Sequence, residues 1–450
     1  MKRGIALVGS AAGLFFLYFF GLARTGLIGP DEARYAAIGR ATAATGDWIT
    51  PRLWGQPWFE KPALLYWMTA AGFKLGLGPE LAPRLPVAFA SVAFLIYFFV
   101  VLRREFGDRA AWYASAILAT STGWLVYSHV AITDLPMSAA FAAAMLTIFT
   151  ANVRASLASG ILLGLAILAK GLVPLVLFIP ALWFLRHRIR DLAILLSAAL
   201  LVAAPWYILA TLRNGTPFLE DFFWKHHFGR FLSSELQHGQ PVWFYIPILL
   251  VGVFPWVPML ALLFNRQLYR DRRVQFLLAW FGWGFVFFSA SRNKLPGYLL
   301  PLLPPLAVLI GIAAAEVRER SPKLMAFLSA SAAMLCLVPA LSNALPQALA
   351  AGFSRTPFHV ATPWIVPALL VAILCAVLEK TAHRDCAIAA VAVLTVVSVV
   401  TIVWRIYPKL DRQLSGRASH AELITCMPPV NRSQRYSIEY YAGRNLPDCK

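Results

Sequence analysis

The chain has 450 residues, 59% of them hydrophobic and only 14% charged, with a mean hydropathy of +0.66. Soluble domains carry about 25% charged residues, so this composition excludes an ordinary soluble protein and points to a membrane protein. The net charge of +19 is dispersed as short basic clusters between apolar runs, which is membrane-topology information and excludes a nucleic-acid-binding face.

In chain order, Met1-Lys2-Arg3 precedes an apolar run from Ile5 to Leu22. At about 18 residues it exceeds the 7–15 of a signal-peptide core, so an uncleaved first helix with a cytoplasmic N-terminus is expected. The stretch Gly29 to Tyr66 is then the one long polar interruption in an otherwise apolar region. Pro30 suits a helix start, with Asp31 and Glu32 in the first turn where the helix dipole favours acids. Helical spacing puts Asp31, Arg34 and Tyr35 on one face, and Gly46 and Asp47 close that helix. Pro51, Gly55 and Pro57 make the next segment a structured loop leading to Glu60 and Lys61. A capped external loop would by itself account for this pattern, so structural and functional readings both stand at this point.

Apolar spans follow near 82–102, 109–127, 131–151, 157–170, 172–186, 191–212, 241–264, 274–290, 296–315, 324–342, 363–379 and 386–405. With the first at 4–24 they make about thirteen. Alternating sides from a cytoplasmic N-terminus gives the inside loops Arg103, Arg104 and Arg109, then Arg154, then Arg186, Arg188 and Arg190. It continues with Arg266 to Arg273, Arg318 to Lys323, and Lys380 with Arg384. This obeys the positive-inside rule at nearly every turn. The segments 29–66, 213–240 and 291–296 then share the outer face, and their cations, Arg34, Arg40, Arg52, Lys61, Arg213, Lys225, Arg230, Arg292 and Lys294, are not needed for orientation. An anionic ligand explains them. Long loops escape the rule, which covers the first two segments but not the six-residue third.

The expected organisation is a transmembrane domain over 1–405, with a first external loop at 25–80 and a second at 213–240, and a small external segment over 406–450. One strand is expected at 435–441, and some forty-five residues are too few for an independent core, so the tail should pack on the membrane domain. The five cysteines show no metal spacing. Cys426 and Cys449 lie in the tail, where an oxidising compartment would allow them to pair, though pairing and separate thiols both remain open.

Polar groups in or beside a bilayer are site candidates. Asp134 opens a span ahead of Pro136, where a helix-start acid is an equally simple reading. His227 and Arg230 are three apart, one helical face, among aromatics. Acids, several cations, one or two histidines and interfacial aromatics at one membrane face suit a lipid phosphate, and a carboxylate there can serve as general base to an attacking hydroxyl.

The motifs Gly29-Pro-Asp-Glu-Ala-Arg-Tyr35, Gly46-Asp-Trp-Ile-Thr-Pro-Arg52 and Phe59-Glu-Lys-Pro-Ala-Leu-Leu-Tyr-Trp67 resemble the first external loop of the aminoarabinose (lipid A) transferase and protein O-mannosyltransferase superfamily. Thr133-Asp-Leu-Pro-Met137, His227-Phe-Gly-Arg-Phe231, Asn293-Lys-Leu-Pro-Gly-Tyr-Leu-Leu-Pro301 and Tyr441-Ala-Gly-Arg-Asn-Leu-Pro447 continue the resemblance in the family's order. It implies an all-α polytopic GT-C fold and an inverting glycosyltransferase that uses a polyprenyl (undecaprenyl) phosphate sugar. The acceptor would be lipid A, a glycan or a protein hydroxyl, and the site would lie on the periplasmic side of a bacterial inner membrane, among membrane lipids. By position, Asp31 and Asp134 match the catalytic acids, and Arg34, Lys61, Arg230, Lys294 and Tyr298 line the donor phosphate. Glu60 with His227 could hold a divalent metal ion. The sequence departs from the family at His226, where relatives commonly carry an acid. A transporter or flippase of a lipid-linked sugar would also need many spans and a cationic vestibule, but such proteins place charge near the midplane in repeated halves, and no repeat is present here.

Overall fold

The structure is a computed structural model that describes residues 2–229, 240–351, 356, 365–419 and 424–449, side chains of 2–7, 226–229, 340, 350, 351, 418 and 419 excepted. A bilayer offers the backbone no hydrogen-bond partners, so apolar stretches must satisfy themselves as helices. Seven helices among the described residues are long and apolar enough to cross, including Leu81–Thr120, Val153–Lys170, Ile189–Asn214 and Arg384–Arg405. Leu81–Thr120 would run about 60 Å if straight, twice a hydrocarbon core. Gly107, at φ 84° and ψ 170°, breaks it into the two consecutive spans expected from the sequence.

The region 241–264, expected as a single straight span, is a broken pair instead: Val242–Val253 and Val257–Phe264 meet at 112°. Other expected spans are short pieces, such as Asp134–Thr147 and the successive Val173–Leu177 and Ile179–Leu185. The expected thirteen crossings are therefore not matched one for one by long helices. In hydrocarbon, close packing is what holds helices together, and small residues permit it. A Cβ on Gly160 would lie 2.2 Å from the Leu195 carbonyl oxygen, and one on Gly311 2.6 Å from the Ala114 nitrogen.

Polar connections gather at the two ends. At one end Arg273 reaches Glu105, Arg109 reaches Glu319 at 3.1 Å, and the Tyr113 hydroxyl donates to Asp385 at 2.6 Å. Arg384 pairs there with Glu379 at 2.7 Å and donates to the Ala314, Val317 and Arg318 carbonyls. These are the loops expected inside. At the other end, the first loop meets the Ile189–Asn214 helix through Arg213 to Asp47 at 2.9 Å and Asn214 to Thr50 at 3.0 Å.

The tail joins the first loop at that second end. The expected strand at 435–441 is overturned: Arg432–Ala442 is an α-helix. Asn431 caps it by accepting from the Gln434 amide, and Gly443, at φ 73°, ends it in the left-handed conformation that glycine adopts freely. Among the described residues the tail's own buried clusters are small, Met427, Ile438 and Leu446 in one and Ile406, Leu410 and Leu414 in another, so its stability comes from docking, as expected. Tyr440 donates to the Pro79 carbonyl at 2.7 Å, Ser437 to the Leu27 carbonyl at 2.7 Å, and Arg40 to the Tyr440 carbonyl at 2.7 Å. Cys426 and Cys449 are disulfide-bonded.

Candidate active site

The site is built on helix Pro30–Thr45. Consecutive residues on a helix point about 100° apart, so Asp31 and Glu32 cannot share surroundings. Glu32 turns inward and is 1% exposed. Its carboxylate accepts from Arg84 Nε at 2.7 Å and Nη2 at 2.8 Å, and from the Ile28 and Ala131 amides at 3.0 Å each. Arg84 spends its other donors on the Leu22, Thr25 and Gly26 carbonyls. The cluster is saturated, and it ties the first loop both to helix Leu81–Thr120 and to the segment that leads into Asp134.

Asp31 faces the other way, with 46% of its side chain exposed. Arg34 Nη2 donates to Asp31 Oδ1 at 2.6 Å and lies 2.8 Å from Glu60 Oε2. Glu60 Oε1 is 3.5 Å from Lys61 Nζ and accepts from the Tyr35 hydroxyl at 3.5 Å. The Arg34 guanidinium also lies over the rings of Tyr35, Trp58 and Tyr436, at 5.2–5.4 Å. Burial works against its charge, but the Glu60 and Asp31 carboxylates and the Tyr35 and Tyr66 phenols together more than offset this, so Arg34 titrates above its ordinary range. Burial first, and the Glu60 carboxylate second, push the Tyr35 and Tyr66 phenols well above theirs, so Tyr35 stays a hydrogen-bond donor at neutral pH.

Asp134 sits in the first turn of Asp134–Thr147, and Lys170 closes Val153–Lys170 opposite it. Lys170 Nζ donates to Asp134 Oδ1 at 2.6 Å and lies 4.7 Å from the centre of the Tyr298 ring. Gly297 makes this approach possible, because a Cβ there would come within 2.5 Å of Asp134 Oδ1 and 2.8 Å of the Tyr127 hydroxyl. Tyr127 lies within electrostatic range of both the Asp134 and the Asp31 carboxylates.

Lys294 is 4% exposed and donates to the Ser291 and Gln240 carbonyls. It lines a cavity of about 880 Å³ whose walls include Trp243, Ile246, Phe285 and Val286. Tyr298, one turn further along, packs on Phe288 at 5.5 Å. Arg230 falls outside the described residues, as does the His227 side chain. Among the described residues no three His, Cys, Asp or Glu side chains gather as a metal site, and Glu60 already faces two cations.

Among solved structures, the chain is similar to ArnT from Cupriavidus metallidurans bound to undecaprenyl phosphate, with a TM-score of 0.78 and 27% identity, over 100% of this chain and 90% of that one. The chain has the GT-C membrane fold expected from its sequence. A family described as dolichyl-phosphate-mannose-protein mannosyltransferase matches residues 60–211 of this GT-C chain. It is 33% identical to the undecaprenyl phosphate-alpha-4-amino-4-deoxy-L-arabinose arabinosyl transferase of Aeromonas hydrophila, over 72% of this chain and 64% of that protein. The Pseudomonas aeruginosa (strain UCBPP-PA14) protein of the same name is 36% identical over 67% and 58%. The chain thus spans about six-tenths of the length of these relatives.

Several residues that shape this GT-C site were not singled out as site residues from the sequence. Lys170 carried one signal, a lone lysine at the outer end of an apolar run. Arg84 carried the same signal at the start of one. Tyr127 and Tyr436 carried none, since nothing local distinguishes them from packing aromatics.

Proposed function

We propose that the protein transfers a sugar from a polyprenyl phosphate donor, undecaprenyl phosphate in the first instance, to an extracytoplasmic acceptor. Lipid A is the leading acceptor, and a glycan or protein hydroxyl comes second. The observation that carries the reading is the exposed Asp31 carboxylate, held by buried Arg34, whose other acid, Glu60, faces Lys61. The named activities of the relatives supply the donor class.

In this scheme the acceptor oxygen attacks the anomeric carbon as the bond to the phosphate oxygen breaks, and the electron pair leaves with polyprenyl phosphate. A hydroxyl acceptor gives its proton to Asp31, and configuration inverts. A phosphate acceptor is already ionised, so Asp31 then orients it. Lys61 and Lys294, with Arg230 by resemblance, neutralise the charge that develops on the leaving phosphate, usually the largest contribution to such catalysis. Tyr298 lines the same phosphate, and the apolar cavity beside Lys294 suits the first prenyl units. Arg34 already holds two carboxylates through Nη2, and these bonds set the Asp31 carboxylate. Lys170 fixes Asp134 in place through the bond from its Nζ. A divalent ion held by Glu60 and His227 is implied by the resemblance alone, and no step is routed through it.

The site would lie in the periplasm, with the basic loops in the cytoplasm. A flippase would instead centre its charge near the bilayer midplane. The deciding experiment is purified full-length protein in nanodiscs with undecaprenyl-phosphate aminoarabinose and lipid A, read by mass spectrometry. Sugar-modified lipid A is the expected product. Donor consumed without a new glycoside, or no turnover with any polyprenyl-phosphate sugar and any acceptor, would overturn the reading.

A further inference from the structure

The helix Arg432–Ala442 does more than cover the first loop. Tyr436 projects from it onto Arg34, ring centre 5.4 Å from the guanidinium carbon. The docking is independent of that contact: Tyr440 bonds Pro79, Ser437 bonds Leu27, the Tyr441 hydroxyl accepts from the Leu27 amide at 3.0 Å, and Arg40 bonds the Tyr440 carbonyl. The ring is therefore delivered to a fixed place.

Arg34 has an uneven set of bonds. Both of its carboxylate contacts, to Asp31 and to Glu60, are made through the single nitrogen Nη2. Its buried Nε has no hydrogen-bond partner among the described residues. A guanidinium joined to two acids at one nitrogen can pivot about that nitrogen. What blocks the pivot is aromatic: Tyr35 at 5.3 Å and Trp58 at 5.2 Å from the first loop, and Tyr436 from the tail. Aromatic faces within about 6 Å attract a cation as well as confine it.

We propose that Tyr436 is a positioning residue that seats Arg34 and, through it, the Asp31 carboxylate, so that the tail completes the site. The positioning claim stands on this geometry, and its effect on turnover rests on the transfer reading above.

The test begins with arginine accessibility, which needs no substrate. Full-length protein in nanodiscs is treated with phenylglyoxal, and modification of Arg34, Arg40 and Arg384 is quantified by peptide mass spectrometry. Y436A should raise Arg34 modification by about fivefold, the scale of a lost cation–aromatic contact, while Y436F stays within about twofold of the native protein. Arg40 and Arg384 should keep their native levels, showing that the tail remains docked and the chain folded. Unchanged Arg34 protection in Y436A overturns the proposal. So does Arg34 opening only together with Arg40, since loss of the whole tail, not of the ring, would then be responsible. In turnover, Y436A should lower kcat by about tenfold with the donor KM within about twofold, and Y436F should restore it. A native protein without transfer activity would sink the transferase reading, while the labelling pattern would still decide the role of Tyr436.

Discussion

On one side of helix Pro30–Thr45, Glu32 meets Arg84 through bonds of 2.7 and 2.8 Å, and two backbone amides complete the carboxylate. On the other side, Asp31 shares one Arg34 nitrogen with Glu60 and keeps nearly half of its side chain exposed. The inner pair has no capacity left to bind anything. The outer group is held from behind and open in front, as a base or an orienting anion must be. A third pair, Arg384 with Glu379, repeats the inner arrangement at the opposite end of the molecule, where Arg384 also donates to three backbone carbonyls. Saturated arginine–glutamate pairs are therefore architecture here, wherever they occur. It is incomplete saturation beside one of them that marks chemistry.

The sharpest way to break this contrast is to remove each carboxylate in turn. D31N should lower transfer by roughly a thousandfold while thermal unfolding in detergent stays within about 0.5 kcal/mol of the native protein. An Asp31 variant that turns over normally would take this residue out of the chemistry. E32A should do the reverse. It strands Arg84 in a buried site, at about 3–5 kcal/mol, and should show as poor accumulation in the membrane and a much lower unfolding midpoint. R384A should lose as much stability for the same reason, yet any protein recovered should keep its kcat. If R384A lost activity without losing stability, the far pair would be more than architecture.

A smaller effect is expected at the second acid. K170M leaves Asp134 without its ammonium and should lower kcat by about ten- to a hundredfold. Combined with D134N the loss should be far from additive, because the two residues act as one unit. Additive losses in a double-mutant cycle would separate them. The smallest effect should come from C426S with C449S. The bridge closes a loop of 23 residues, for which chain entropy gives up to about 3 kcal/mol, confined to the tail. Limited proteolysis with and without reductant would show tail cleavage rising while the membrane helices stay intact.

Long apolar runs and the arginine asymmetry made the helical membrane architecture and the grouping of loops legible, because both are read locally along the chain. The two acids Asp31 and Asp134 and the neighbours Arg34, Glu60 and Lys61 were legible from their motifs. The division of labour between Asp31 and Glu32 was not, since it is decided by Arg84, 52 residues away in sequence. The tail was misread for a physical reason. Tyr436, Ile438 and Tyr440 alternate and mimic a strand, whereas the deciding signals were the Asn431 cap and the Gly443 stop at either end. The break at 112° within 241–264 was invisible because apolar content alone does not distinguish a straight span from a bent one.

The contacts between tail and first loop also set an order in time. Leu27 and Tyr441 are 414 positions apart, and a chain made from its N-terminus places helix Pro30–Thr45 at the membrane surface long before Arg432–Ala442 exists. Closing so long a loop carries an entropic cost that grows only slowly with length, so the late arrival is a delay more than a thermodynamic burden. Until then Arg34 and its two carboxylates lack the tail's contacts, and the nascent protein passes through the insertion machinery with its first external loop assembled but uncovered. Docking of residues 432–442 is thus a late event of biogenesis, well after the first loop has formed.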